Sequence, residues 1–272
     1  MTSPEQIVCK TTPWFTLRAA AMLAMFGVFS VLFYIDGTTG YRKKNLEYYV
    51  HATFEEAGQA FSRKNSDGKL TPAEWKDYAE QQTVKLPDAS LIPADTKLPM
   101  PWPAVLTDFE KVKPLQTHFL WQEYSGANGM NVKPAEHPFD AGKIREQIIV
   151  FWICLGLFLI TLFFLIRTLR RSMRADDEAF TTVKGQRIPY SDMTTLDLRK
   201  WDTKGIAFIE YSGPSGNGRA RIDGLTYGGF KKENDEPAER LMRKIRENFS
   251  GELIEYTTIS DEEKTTDPQE IA

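Results

Sequence analysis

Three histidines and a glutamate in the middle of the chain are the side chains whose types suggest acid–base or metal chemistry. His51 and Glu55 are four residues apart, and His118 and His137 follow before the second apolar segment. A His–Glu pair at this spacing lies on one face of a helix, where it is more often an exposed side-chain pair than a catalytic one. The zinc-protease pattern His-Glu-x-x-His does not occur in the sequence. We therefore predict no catalytic residue, whereas an enzyme would need these four side chains to converge on one pocket.

A polar segment with a central glycine separates two amphipathic patterns. Apolar residues recur at three- and four-residue steps over residues 45 to 61, which predicts a helix, and Trp75 and Tyr78 mark a second helix. Over residues 45 to 82 the sequence resembles an EF-hand, with Gly68 at the sharp turn and Leu70 at the apolar eighth position. The resemblance implies a calcium site formed by Asn65, Asp67, the Lys69 carbonyl, Thr71 and Glu74.

The first position of the loop departs from the EF-hand pattern, because Arg63 stands where the family has Asp. Calcium takes six to eight oxygen ligands and gains most from carboxylates, of which this loop offers only Asp67 and Glu74. Three interpretations stay open. Calcium binds weakly, or the Arg63 guanidinium pairs with one of these carboxylates in place of the ion, or the segment is a helix-turn-helix that uses Leu70 for packing alone. No second loop of this type occurs in the sequence.

Two apolar segments predict the elements that hold this loop in place. Residues 19 to 35 carry no charged side chain, and the segment extends back to Trp14 through Arg18, whose long stem reaches the interface. Residues 148 to 166 are apolar on every face. A bilayer core of about 30 Å needs roughly 20 helical residues, so both segments predict transmembrane helices. A cleaved signal peptide is the alternative for the first segment, but no small-x-small cleavage site follows it.

Basic residues beside the apolar segments predict the orientation. A cluster that follows the second segment favours the cytoplasmic side and the membrane surface: Arg167, Arg170, Arg171 and Arg174. The group at residues 42 to 44 opposes this orientation, but it has three cations rather than four. We therefore expect a multi-pass protein of the bacterial inner (cytoplasmic) membrane with both termini in the cytoplasm.

The remaining sequence predicts an ordered outer region and a separate inner domain. Eight prolines interrupt residues 83 to 138, yet the many aromatic residues there predict an irregular ordered cap over the two helices, or a partner surface. After residue 180, short strands are predicted at 180–183, 186–190, 193–201, 206–212 and 219–225, followed by one amphipathic helix after Pro237. The phrase from Ile188 to Met193, with Trp201 and Gly205, gives this part a likeness to bacterial pleckstrin-homology-like domains. Such domains bind peptides, lipids or sister domains.

The sequence thus predicts a membrane protein of the α+β class. Its parts are a cytoplasmic tail (1–13), a transmembrane helix (14–35), an extracytoplasmic domain (36–147) with the EF-hand-like turn at 63–74, a second transmembrane helix (148–167), a stalk (168–179), a cytoplasmic β-rich domain (180–255) and a disordered acidic tail (256–272). The net charge of -3 disfavours a nucleic-acid partner, and the two distant cysteines form no disulfide framework. We expect a non-enzymatic scaffold or signal-coupling protein with the bilayer and membrane or periplasmic proteins as partners. The alternatives are a calcium-responsive sensor and an accessory subunit of a membrane enzyme.

Overall fold

Two long helices carry most of the apolar sequence in the computed structural model, which describes residues 6–214 and 216–256. Helix α1 (Pro13–Ile35) continues through a π-helical turn (Asp36–Gly40) into α2 (Tyr41–Lys64), so that residues Pro13–Lys64 form one helical stretch. Helix α6 (Ala141–Leu169) is the second. In their most apolar windows, only 11% and 6% of the residues are buried. The prediction of two helices long and apolar enough to cross a membrane is therefore confirmed.

The chain divides into a loop unit (Met25–Phe158) and a sheet unit (Met1–Ala24 and Leu159–Ala272). Each unit has its own buried core. The predicted disordered tail lies outside the described residues, except for Tyr256. A mixed α+β class is confirmed, because one unit is helical and the other holds all the strands found in the described residues.

Aromatic side chains build the core of the loop unit. Helix α3 (Pro72–Glu80) and helix α4 (Phe109–Val112) pack with each other and with a 3-10 turn at Ala104–Thr107. Helix α2 packs with α4, with α5 (Thr117–Ala127) and with a 3-10 turn at Ala89–Leu91, and its Phe61 contacts Trp75 of α3. The largest fully buried side chains of this unit are Phe54, Phe61, Trp75 and Trp121. The Nε1 of Trp75 donates to the Leu106 carbonyl at 3.0 Å, so this indole buries its ring without leaving its donor unpaired.

The proline-rich segment is less irregular than expected. Helix α5 occupies eleven residues between Pro114 and Pro134, and it contributes Leu120 and Trp121 to the core. These two prolines lie outside the ends of the helix and do not interrupt it. The number of prolines alone therefore underestimated the helical content of the segment.

One buried amide joins three parts of the loop unit. Asn45 is fully buried on α2; its Nδ2 donates to the carbonyls of Leu91 at 2.9 Å and Phe139 at 2.8 Å, and its Oδ1 accepts from the Phe139 amide at 2.6 Å. A buried amide with every partner in place fixes the chain positions it joins. The segments around residues 91 and 139 are therefore held against the start of α2.

The sheet unit contains two four-stranded sheets. The first has the antiparallel order β1 (Ile7–Cys9), β2 (Met173–Ala175), β3 (Ala179–Thr181) and β4 (Arg187–Pro189). The second has the order β7 (Gly216–Asp223), β6 (Ile206–Gly213), β5 (Met193–Asp197) and β8 (Glu252–Ile254), with β8 parallel to β5. Two helices, α7 (Trp201–Lys204) and α8 (Pro237–Asn248), complete the unit.

The first sheet contains two strands where the sequence predicted none. Strand β1 lies in the predicted tail (1–13), and β2 lies in the predicted stalk (168–179). In β2, Met173 and Ala175 are buried and Arg174 between them is exposed. Three residues are too few to show this alternation in a sequence, and the charge of Arg174 made the segment look like part of a basic cluster.

Helix α8 covers the core of the sheet unit through one apolar face formed by Leu241, Met242 and Ile245. On the same helix Glu239 is nearly buried, and its Oε1 accepts a hydrogen bond of 2.6 Å from the Nε1 of Trp201. Burial raises the pKa of Glu239 above its ordinary value, although the Trp201 hydrogen bond opposes the shift. The pair fixes α8 against α7.

Candidate functional site

The EF-hand-like segment forms a tight, internally hydrogen-bonded turn between α2 and α3. Gly68 has φ +71°, the left-handed conformation that favours glycine. The Oδ1 of Asn65 accepts from the Leu70 amide at 3.3 Å, and the Oδ1 of Asp67 accepts from the Lys69 amide at 3.2 Å. The side-chain oxygens of both residues therefore already serve the turn.

Thr71 and Glu74 form a capping box at the start of α3. The Thr71 hydroxyl accepts from the Glu74 amide, while Glu74 Oε2 accepts from the Thr71 amide at 2.9 Å and from its hydroxyl at 2.7 Å. The backbone hydrogen bond is the main cause that lowers the pKa of Glu74, so the carboxylate stays ionised. Glu74 thus has the charge that calcium requires, but an ion would compete with Thr71 for one of its oxygens.

Arg63 does not take the place of an ion. Its side chain is exposed, and within the described residues it pairs with neither Asp67 nor Glu74; the cation near Asp67 is Lys69, at 3.9 Å. Leu70 packs against the core of the loop unit. The described residues contain no group of three or more His, Cys, Asp or Glu side chains arranged to hold a metal. The geometry supports the packing role of Leu70, while calcium binding by Asn65, Asp67, Lys69, Thr71 and Glu74 stays a prediction.

The side chains that an enzyme would need to bring together do not form one hydrogen-bonded group. His51 packs edge-on against Trp121 with 5.1 Å between ring centroids, and burial is the main cause that lowers its pKa. On α5, His118 Nε2 lies 2.8 Å from the side-chain nitrogen of Gln122, while His137 is exposed. Glu55 raises and His118 further lowers the pKa of His51, both by less than burial does, but in the described part of the chain no hydrogen bond joins these side chains.

The four arginines after the second apolar segment fall in different elements. Arg167 lies in the last turn of α6, Arg170 and Arg171 follow it, and Arg174 lies in β2 opposite Val8. Arg167, Arg170 and Arg174 are exposed, and Arg171 is half-buried. The structure therefore divides the cluster between a helix end and a sheet.

The junction of the two apolar helices with the first sheet is the arrangement that sequence reasoning missed. Strand β1 ends at Cys9, four residues before α1 begins, and β2 starts at Met173, four residues after α6 ends. Ile7, Val8 and Cys9 pair with Ala175, Arg174 and Met173. The Thr11 hydroxyl also donates to the Thr168 carbonyl at 3.3 Å. We call this arrangement the strand clasp.

The side chain of Cys9, the last residue of β1, packs in the core of the sheet unit. It is fully buried, and burial raises the pKa of its thiol to about 12. A thiol in this state is protonated near neutral pH and behaves as a small apolar side chain. Cys9 is therefore a packing residue.

The chain matches no protein-family model, no curated protein and no solved structure.

Proposed function

We propose that the protein is a non-enzymatic membrane protein that couples a domain on one side of a bilayer to a docking domain on the other. Helices α1 and α6 are the two membrane crossings. The segment 36–147 lies outside, and the residues before α1 and after α6 lie in the cytoplasm. Its partners are the bilayer and proteins bound by each domain.

The observation that supports this proposal best is the strand clasp. The residues before α1 and after α6 pair in one sheet, which supports a topology with both of them on the same side of the membrane and two crossings between them. Only short segments separate each helix from its strand. A shift of one helix along its axis relative to the other would strain the pairing of β1 with β2. This arrangement suits transmission of a mechanical signal.

The arrangement of strands and helices in the sheet unit supports a docking role. Two small sheets and one amphipathic helix make a compact binding platform, in line with the proposed likeness to pleckstrin-homology-like domains. Fold-level likeness does not define a ligand. The partner of this domain is therefore identified by experiment.

Labelling with a membrane-impermeant maleimide tests the topology. Asp95 and Lys204 are both exposed, and the native Cys9 and Cys154 are buried, which keeps the background low. We expect Asp95→Cys to be labelled on intact cells and Lys204→Cys only after the cells are permeabilised. Labelling of both variants on intact cells, or of neither after permeabilisation, contradicts the topology.

Cross-linking of the full chain in its native membrane, followed by mass spectrometry, tests the coupling role. We expect lysines of 36–147 and lysines of the sheet unit to link to different proteins, because the two regions lie in different compartments. Purification in mild detergent should retain these proteins. Recovery of a lone monomer without cross-links to other proteins would count against a coupling role.

A further inference from the structure

A basic cavity of about 320 Å³ lies in the sheet unit. Its wall includes Arg171, residues of the β3–β4 turn and residues of β7. Four of the lining residues are cations and one is a carboxylate: Arg171, Lys184, Arg219 and Arg221, with Asp223. A concave surface lined by one sign of charge concentrates ligands of the opposite sign. The cavity is therefore suited to an anion.

Two of the four cations already have partners. Arg221 pairs with Asp223 at 2.8 Å, and Arg219 lies 3.8 Å from Asp197. In contrast, no carboxylate of the described residues lies within 4.0 Å of Arg171 or Lys184. These two cations keep their donors for a ligand.

A buried hydroxyl adds a neutral donor to the cavity wall. Thr182 is only 7% exposed, and its Oγ1 accepts from the Gln186 amide at 3.2 Å. Within the part of the chain that the structure describes, no hydrogen bond donated by this hydroxyl is found. Guanidinium, ammonium and hydroxyl donors around one cavity are the groups that bind phosphate oxygens.

The cavity lies beside the ends of both apolar helices. Arg171 is two residues beyond the end of α6. Tyr227, which also lines the cavity, pairs with Thr11 two residues before α1, and its side chain shares a hydrogen bond with that of Thr168 in α6. The ends of membrane-spanning helices are where phospholipid head groups are found.

We propose that this cavity binds the phosphate of an anionic phospholipid head group. The inference rests on the proposed membrane location, which supplies the lipid. Soluble inorganic phosphate shares the chemistry, so it is a separate arm of the test. Each cation near an anionic surface strengthens binding, and Arg171 and Lys184 should contribute most because neither has a carboxylate partner.

Native mass spectrometry of the full chain in a neutral detergent measures the lipid affinity. Phosphatidylglycerol, phosphatidylcholine and inorganic phosphate are titrated separately, and inorganic phosphate is also added as a competitor. We expect phosphatidylglycerol to bind the unchanged chain most tightly, and we expect R171Q/K184Q to weaken its binding at least about tenfold. The matched control is K200Q/K204Q, which removes two exposed cations of the same unit that do not line the cavity. It should leave the Kd unchanged.

Hydrogen exchange in β6 checks that each variant is folded. If the double variant unfolds, the single variant Lys184→Gln replaces it, because Lys184 lies in an exposed turn, and it should still weaken lipid binding several-fold. Equal loss in both double variants would show general electrostatic attraction and overturn the proposal. Inorganic phosphate that competes as well as the lipid at equal concentration would overturn the assignment to a lipid. The labelling of Asp95→Cys and Lys204→Cys is independent of these results, so failure of the cavity and failure of the membrane topology are distinguishable.

Discussion

Replacing Cys9 by serine tests whether the strand clasp stabilises the sheet unit. The substitution keeps the size of the side chain nearly unchanged but puts a hydroxyl into a fully buried site among apolar side chains. The backbone of Gly228 packs closely against Cys9, since a Cβ atom added to Gly228 would lie 3.0 Å from the Cys9 sulfur. The structure around residue 9 therefore has little room to rearrange around a hydroxyl. Burial of a hydroxyl without a suitable partner costs about 1–3 kcal/mol. We expect the sheet unit to lose stability by this amount.

Hydrogen exchange with mass spectrometry measures the effect for each unit separately. Amides of β6 should exchange about 5- to 150-fold faster in Cys9→Ser, since about 1.4 kcal/mol corresponds to a tenfold change in an equilibrium constant. Amides of α2 between Val50 and Phe61, in the loop unit, serve as an internal reference and should not change. Val8→Thr is the matched control, because Val8 directly precedes Cys9 in β1 and is exposed. Its effect should stay within about 0.5 kcal/mol.

Two results would refute this reasoning. Exchange in β6 that is no faster in Cys9→Ser than in Val8→Thr would show that β1 does not contribute to the core of the sheet unit. Equal acceleration in β6 and in α2 would show a general effect of the substitution on the whole chain.

Three further predictions concern Glu239, the loop glycine and Arg63. Burial raises the pKa of Glu239 in the folded state above its unfolded value, so the contribution of Glu239 to stability is present at low pH and is lost as pH rises from the unfolded to the folded pKa. Glu239→Gln should abolish this part of the pH dependence of Tm. A pH profile of Tm that is the same in the variant and the unchanged chain would contradict the prediction. Gly68→Ala should lower the free energy of unfolding by about 1 kcal/mol, because the space around Gly68 is open but its left-handed backbone conformation is unfavourable for alanine. Gly126→Ala, in helix α5 with equally open space, should raise the free energy of unfolding by up to about 1 kcal/mol. Urea unfolding that gives both changes the same sign would disprove this. Arg63→Asp adds a carboxylate at the first position of the loop. Titration calorimetry should therefore show that this variant binds calcium at least about tenfold more tightly than the unchanged chain. No heat from either protein at millimolar calcium would reject a calcium site.

Local sequence signals were sufficient where each element depends on its own residues. The two apolar segments predicted α1 and α6 because hydropathy over 20 residues needs no knowledge of partners. Helical periodicity located α2, and the glycine and proline signals placed the turn at Gly68 and the start of α8 at Pro237.

Elements that depend on distant partners could not be predicted in the same way. Strands β1 and β8 are three residues long, and neither has a periodic pattern; each exists because a strand elsewhere in the chain supplies its hydrogen bonds. The candidate cavity was missed for the same reason. Arg171 and Lys184 lie beside the first sheet and Arg221 lies in β7 of the second, so only the shared core of the two sheets brings them to one surface.

The strand clasp also constrains the order in which the chain folds during synthesis. Thr11 and Thr168, which it joins, are 157 residues apart, so β1 leaves the ribosome long before its partner strand has been made. Contacts of such separation form late, and an unpaired strand edge is a site of aggregation. The sheet unit can close only after both apolar helices have been synthesised, and a protein arrested before α6 would keep β1 exposed to chaperones and proteases.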